Sequence, residues 1–161
     1  YWSGGPSVNV RLIKGDDGGC FMAALDVVRK WNGVLEHPEA SHAWAAFSLN
    51  RPLRFGGWTK ADELGGWNCY VEQGHYGHLA RKATWLYAFN VDLPELQWGP
   101  CESKAPLVDG LSAEERQRAI RTGICQRLSK RQRAATPYQF RDLLLSMARS
   151  AYGHLEVHDA T

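Results

Sequence analysis

Apolar and polar residues alternate over Val8-Asn9-Val10-Arg11-Leu12-Ile13, the period-two pattern of a strand, and Lys14-Gly15-Asp16-Asp17-Gly18-Gly19 ends it. Phe21, Ala24, Leu25, Val28 and Trp31 then recur at helical spacing. Asp16 or Asp17 supplies an N-terminal cap for that helix, and Gly33 a stop. The short run Val34-Leu35-Glu36 follows and leads into His37-Pro38. Strand, helix, strand in this order predicts a parallel sheet with crossover helices. Glu36 and His37 would then emerge at the carboxyl end of a strand, where open α/β sheets hold their ligands.

Residues 41–47 predict a short helix, after which Gly-Gly-Trp occurs twice, at Gly56-Gly57-Trp58 and Gly65-Gly66-Trp67. This stretch reads either as a functional loop or as one whose Trp44, Trp58 and Trp67 cover a sheet edge. Cys69–Gln73 and Thr84–Phe89 predict two further strands. The ten residues between them are too few for a crossover helix, so the two should pair antiparallel. Pro94, Pro100 and Pro106 mark residues 90–112 as a connection without regular structure. Ser112 with Glu115 three residues on starts a helix that runs to Arg121. Thr136-Pro137 starts the last helix, where Phe140, Leu143, Leu144, Met147 and Ala151 form one apolar stripe destined for the core.

The 161 residues suit a single domain of ordinary size, and 44% apolar with 22% charged residues is a globular composition. No apolar run reaches the roughly 20 residues that span a bilayer, and the first residues do not resemble a targeting segment. A soluble, cytoplasmic protein with no membrane partner is the expectation. Cys20, Cys69, Cys101 and Cys125 form no CxxC pair and are expected to be reduced, buried thiols. The net charge of +2 hides a strong asymmetry, because residues 116–141 carry eight Lys/Arg and no Asp/Glu. Such a segment favours a polyanion over a merely solvated surface, and Arg127, Lys130, Arg131 and Arg133 are its candidate phosphate contacts.

Phosphate-loop, dinucleotide-fingerprint and nucleophile-elbow motifs are absent from the sequence. The pairs His37/His42 and His75/His78 lack a third ligand at an obvious spacing, so no metal site is expected. Glu36 stands out, since a carboxylate closing an apolar strand is either hydrogen-bonded structurally or held to meet a ligand.

Val34-Leu35-Glu36-His37-Pro38 resembles the Glu-Asn-Val strand end of cytosine-5 DNA methyltransferases. Tyr76-Gly77-His78-Leu79-Ala80-Arg81-Lys82-Ala83-Thr84-Trp85 resembles their Tyr-Gly-x-Pro-Gln-x-Arg-x-Arg hairpin, and Arg127-Leu128-Ser129 their Arg-x-Leu-Thr element. The order of the segments agrees, over roughly residues 15–150, and the likeness is greatest to phage-encoded methyltransferase-like proteins. The resemblance implies an α/β fold: a Rossmann-like half-sheet, mostly parallel with an antiparallel hairpin at one end, plus C-terminal helices. It also implies two parts, 1–100 belonging to the α/β domain and 101–161 a basic linker and helical segment packed on it.

The chemistry implied is S-adenosylmethionine-dependent methylation of a cytosine flipped out of DNA, in the cytoplasm of a bacterial host if the chain is phage-encoded. Glu36 would contact the base, Lys82 would stand where the hairpin's first arginine helps hold it, and His37, Tyr76, Arg81 and Thr84 would complete the base pocket. Lys82 keeps the charge of that arginine but not its bidentate plane. Thr84 and Ala80 replace the second arginine and the glutamine of the family pattern. Neither the family's glycine-rich cofactor motif nor its Pro-Cys nucleophile occurs in the 161 residues. A second chain or an N-terminal half would have to carry them. The alternatives are a non-catalytic DNA-binding or protein-interaction module derived from such an enzyme, and an enzyme making another base modification.

Overall fold

The computed structural model describes residues 17–102, 112–122 and 128–155. The strand expected at Val8–Ile13 and the phosphate contact expected at Arg127 lie outside them. The order is α1 (Cys20–Trp31), β1 (Gly33–Pro38), α2 (His42–Ala46), β2 (Thr59–Lys60), β3 (Trp67–Glu72), a 3-10 turn (Gln73–Tyr76), β4 (Ala83–Phe89), α3 (Ala113–Thr122), α4 (Lys130–Ala134) and α5 (Tyr138–Leu155). Asp17 caps α1, its Oδ1 accepting from Gly19 N–H at 3.0 Å and its Oδ2 from Phe21 N–H at 2.8 Å. A left-handed Asn32 (φ 62°) ends α1 and Gly33 (φ 144°) turns the chain into β1.

The four strands form one sheet in the order β1-β4-β3-β2, and every neighbouring pair is antiparallel. This overturns the mostly parallel, Rossmann-like half-sheet. The expected β3–β4 hairpin is present, with Glu72 opposite Ala83, but β1 does not join a parallel neighbour. It lies beside β4, with Gly33 opposite Phe89 and Pro38 opposite Thr84. Glu36 is therefore not at a strand's carboxyl exit. It sits within β1, opposite Leu86.

Side chains alternate across a strand, so β4 feeds two cores. Trp85 and Tyr87 pack with Tyr70 and Leu35 against Phe21, Leu25 and Trp44 of α1 and α2. Leu86 and Ala88 pack with Cys69, Val71 and Val34 against α5, whose Phe140, Leu143, Leu144, Met147 and Ala151 form the expected stripe. Helix, sheet and helix make three layers. Trp44 is fully buried and Trp58 donates to Pro94 O at 2.9 Å, so these two tryptophans are packing residues, whereas Trp67 and Trp31 are exposed. Cys69 and Cys101 are buried free thiols, but Cys20 is exposed, against the expectation for it.

A polar hub joins α1, the β2–β3 turn and β4. Tyr87 Oη donates to Asp62 Oδ2 at 2.8 Å, and Arg29 donates to both, through Nε to Tyr87 at 3.1 Å and through Nη2 to Asp62 at 2.9 Å. Asp62 Oδ1 also accepts from the N–H groups of Leu64 and Gly66, each at 2.9 Å. Burial acts to raise the Asp62 carboxyl, but Gly66 N–H, Arg29, Tyr87 and Leu64 N–H outweigh it and hold the group below its ordinary value of 3.8. Burial likewise pushes the Tyr87 hydroxyl up, to about 12.

A Cβ at Gly66 would overlap the ring of fully buried Tyr87. Gly66→Ala should therefore cost about 1–3 kcal/mol in urea unfolding, and an unchanged midpoint would show that the ring has room to move. Because folding depresses the Asp62 pKa, its contribution is complete above pH 3.8 and is lost as pH falls through the lower, folded value. Wild type should accordingly lose stability in that acid range more steeply than Asp62→Asn, as read from urea midpoints against pH. Parallel curves would contradict the hub.

Candidate functional site

The sheet face under α5 carries a polar cluster near the β1–β4 end. Glu36 on β1 and Thr84 on β4 project into it, and Gln73 enters from the first residue after β3. Gln73 Nε2 donates to Glu36 Oε1 at 3.0 Å and to Thr84 Oγ1 at 2.9 Å. The Thr84 hydroxyl donates to Lys82 O at 3.0 Å, with Glu36 Oε1 farther off at 3.5 Å. A carboxylate only accepts, so the Gln73 amide must turn its nitrogen toward Glu36. That leaves Gln73 Oε1 buried without a partner. Leaving such an acceptor unpaired costs about 1–3 kcal/mol.

Lys82 links this cluster to the basic segment. Its backbone is left-handed (φ 43°) where the loop enters β4, and its Nζ donates to Ala135 O at 2.8 Å and Ala134 O at 3.3 Å. Burial lowers the Lys82 pKa, and the Glu36 charge opposes that fall. A second side chain does the same work nearby. His78 Nε2 is 3.1 Å from Gln132 O, a carbonyl that can only accept, so this nitrogen carries a proton. Nδ1 faces both polar atoms of the Ala80 backbone, lying 3.0 Å from its N and 2.9 Å from its O. The other end of α4 is closed by a capping box, with Gln132 N–H donating to Ser129 Oγ and Ser129 N–H to Gln132 Oε1. The five-residue α4 is thus tied at both ends. Arg131 and Arg133 on it are exposed.

Of the residues proposed from sequence, Glu36, Thr84 and Lys82 come together. His37 does not join them. It neighbours Glu36 on β1 and so faces the other core, where its ring meets Phe21 and Trp44 at centroid distances of 5.0 and 6.0 Å and its Nε2 lies 2.7 Å from Ser41 Oγ. Burial lowers its pKa. The Tyr76 ring packs 5.2 Å from Phe140 and its hydroxyl accepts from Gln97 N–H at 3.1 Å. Arg81 is exposed on the β3–β4 loop. Lys130 begins α4. Gln73 and His78 are the members that sequence reasoning missed as a site. The first was read as the end of a strand and the second as half of a histidine pair, and neither has a spacing signature.

Among the described residues, no group of three His, Cys, Asp or Glu side chains is placed to hold a metal ion. No described helix is long and apolar enough to cross a membrane. The S-adenosylmethionine implied by the resemblance calls for the carboxyl-end crevice of a parallel sheet. No described strand pair runs parallel, so these residues offer it no seat of that kind. Comparison with protein-family models, with curated proteins and with solved structures finds no match to this chain.

Replacing Lys82 by Met keeps the aliphatic stem and removes the donors that hold Ala134 O and Ala135 O. Lys82→Met should speed amide hydrogen exchange in residues 129–135 while leaving β3 and β4 protected. Equal protection of α4 in both proteins would show that Lys82 does not anchor it.

Proposed function

We propose that this chain is a nucleic-acid-binding module that contacts DNA phosphates through Arg131 and Arg133 on α4. The observation that carries this reading is the presentation of the two guanidinium groups. They are exposed on a short helix fastened to the sheet through Gln132 O, Ala134 O and Ala135 O, inside a segment without a single carboxylate. The salt bridges among the described residues engage Arg29, Lys60 and Arg141 and leave Arg131 and Arg133 uncommitted. Arg118 and Arg121, exposed on α3, add to the basic character of the segment. Cations carried on an anchored backbone suit phosphate oxygens, because little backbone freedom is left to lose on contact.

This is the non-catalytic alternative to methylation. The antiparallel sheet removes the scaffold on which the methyltransferase chemistry was expected, while the basic helix owes nothing to strand direction. Glu36, Gln73 and Thr84 serve here to join β1, the β3–β4 connection and β4 beneath α5.

Binding that rests on phosphates is salt-dependent through counterion release. The Arg131→Ala/Arg133→Ala double variant should weaken binding to DNA of any sequence. Its plot of log affinity against log salt should be shallower by about 0.9 for each contact removed on duplex DNA. A slope equal to that of wild type would remove α4 from the interface.

A further inference from the structure

Tyr138 opens α5, four residues after α4 ends, and is 76% exposed. It takes no part in the α5 stripe that fills the core. The Arg141 guanidinium lies 4.7 Å from the centre of its ring, and Asp142 Oδ1 holds that guanidinium through Nε at 3.0 Å and Nη2 at 2.8 Å. Two other exposed rings carry a cation, Trp31 with Lys30 at 5.1 Å and Phe55 with Arg54 at 5.8 Å. Tyr138 alone of the three belongs to the acid-free segment 116–141. It stands five residues from Arg133, a chain separation of at most about 19 Å at 3.8 Å per Cα step.

An exposed ring beside phosphate-binding cations is the arrangement that grips unpaired bases, since each base has a π-face to stack on an aromatic side chain. A duplex keeps those faces inside its own stack and offers the ring nothing comparable. Arg141 backs the Tyr138 ring through a cation–π contact, and its tie to Asp142 limits the freedom that the guanidinium would lose when a base arrives.

We propose that the preferred ligand is single-stranded DNA, with a base stacked on Tyr138 and neighbouring phosphates on Arg131 and Arg133. This rests on the phosphate-contact reading above and adds the strandedness of the partner.

The test is fluorescence anisotropy of the full 161-residue chain with a labelled mixed-sequence DNA strand and, separately, with the matched duplex. Wild type should favour the single strand. Tyr138→Ala should weaken single-strand binding roughly tenfold and leave duplex binding and the circular dichroism spectrum unchanged, while Tyr138→Phe retains wild-type affinity. Wild-type affinity in Tyr138→Ala, an equal loss on strand and duplex, or an equal loss in Tyr138→Phe would each overturn the stacking assignment. The phosphate reading would survive those outcomes. It fails, and this inference with it, if wild type binds neither ligand or if Arg131→Ala/Arg133→Ala binds both as wild type does.

Discussion

Both cores hang on one strand that is covered on both sides. Thr84 to Ala88 of β4 are all buried, and their side chains enter two separate cores by turns. The layer of α1 and α2 and the layer of α5 pack on opposite faces of the sheet, and β4 lies between β1 and β3 within it. A one-residue slip of β4 would send Trp85 and Tyr87 toward α5 and Leu86 toward α1, exchanging side chains of very different volume. Close-packed cores do not accommodate such exchanges.

Polar partners sharpen that specification. Near one end of β4, Tyr87 must meet Asp62 and Arg29 on the α1 side, and near the other Thr84 must meet Gln73 and Glu36 on the α5 side. Any shifted pairing would strand these groups in apolar surroundings, where an unpaired polar atom is costly. The two networks thus oppose misregistration more strongly than they add net stability, since each hydrogen bond replaces one to water. The unpaired Gln73 Oε1 shows the limit of this arrangement. The nitrogen of that amide satisfies two acceptors, and its oxygen meets no donor.

The same two-sided burial decided what the sequence could disclose. α1 and α5 were legible because each buries a single stripe, and a period of 3.6 survives when the opposite face is wet. The β3–β4 hairpin was legible from the length of its connection. Strand direction was not. Val34-Leu35-Glu36 after a helix reads as the second strand of a crossover unit, yet its partner is β4, about fifty residues later, and that choice depends on contacts no local pattern contains. Trp85-Leu86-Tyr87-Ala88-Phe89 is apolar throughout because both faces are covered, and this erases the alternation that marks most antiparallel strands. Glu36 was visible as an anomaly, but Gln73, which gives it a partner, was not, because a glutamine after a strand carries no periodic signal. The basic segment could be read from charge alone. Its anchorage could not, because His78 and Lys82 bind backbone carbonyls, which every residue possesses.

That anchorage explains how so short a helix can hold two arginines at a set place on the surface. Five residues are far below the length at which an isolated helix persists in water, because nucleation costs more than the few hydrogen bonds return. At α4 the Ser129–Gln132 capping box satisfies N–H groups at one end, and His78 and Lys82 take carbonyls at the other. The Lys82 ammonium also places positive charge where the last carbonyls point, the favourable sense for a helix C-terminus. The loop supplying both anchors is held by the sheet, since Gln73 and Gly74 N–H donate to Lys82 O and Arg81 O across its base. Rigidity therefore passes from the doubly covered strand through a tight loop to Arg131 and Arg133. An arginine on a tethered helix has less freedom to surrender than one on a flexible tail, so the same charge gives more affinity per contact. The buried sheet and the exposed cations are in this sense one construction, with the β3–β4 loop as the joint between them.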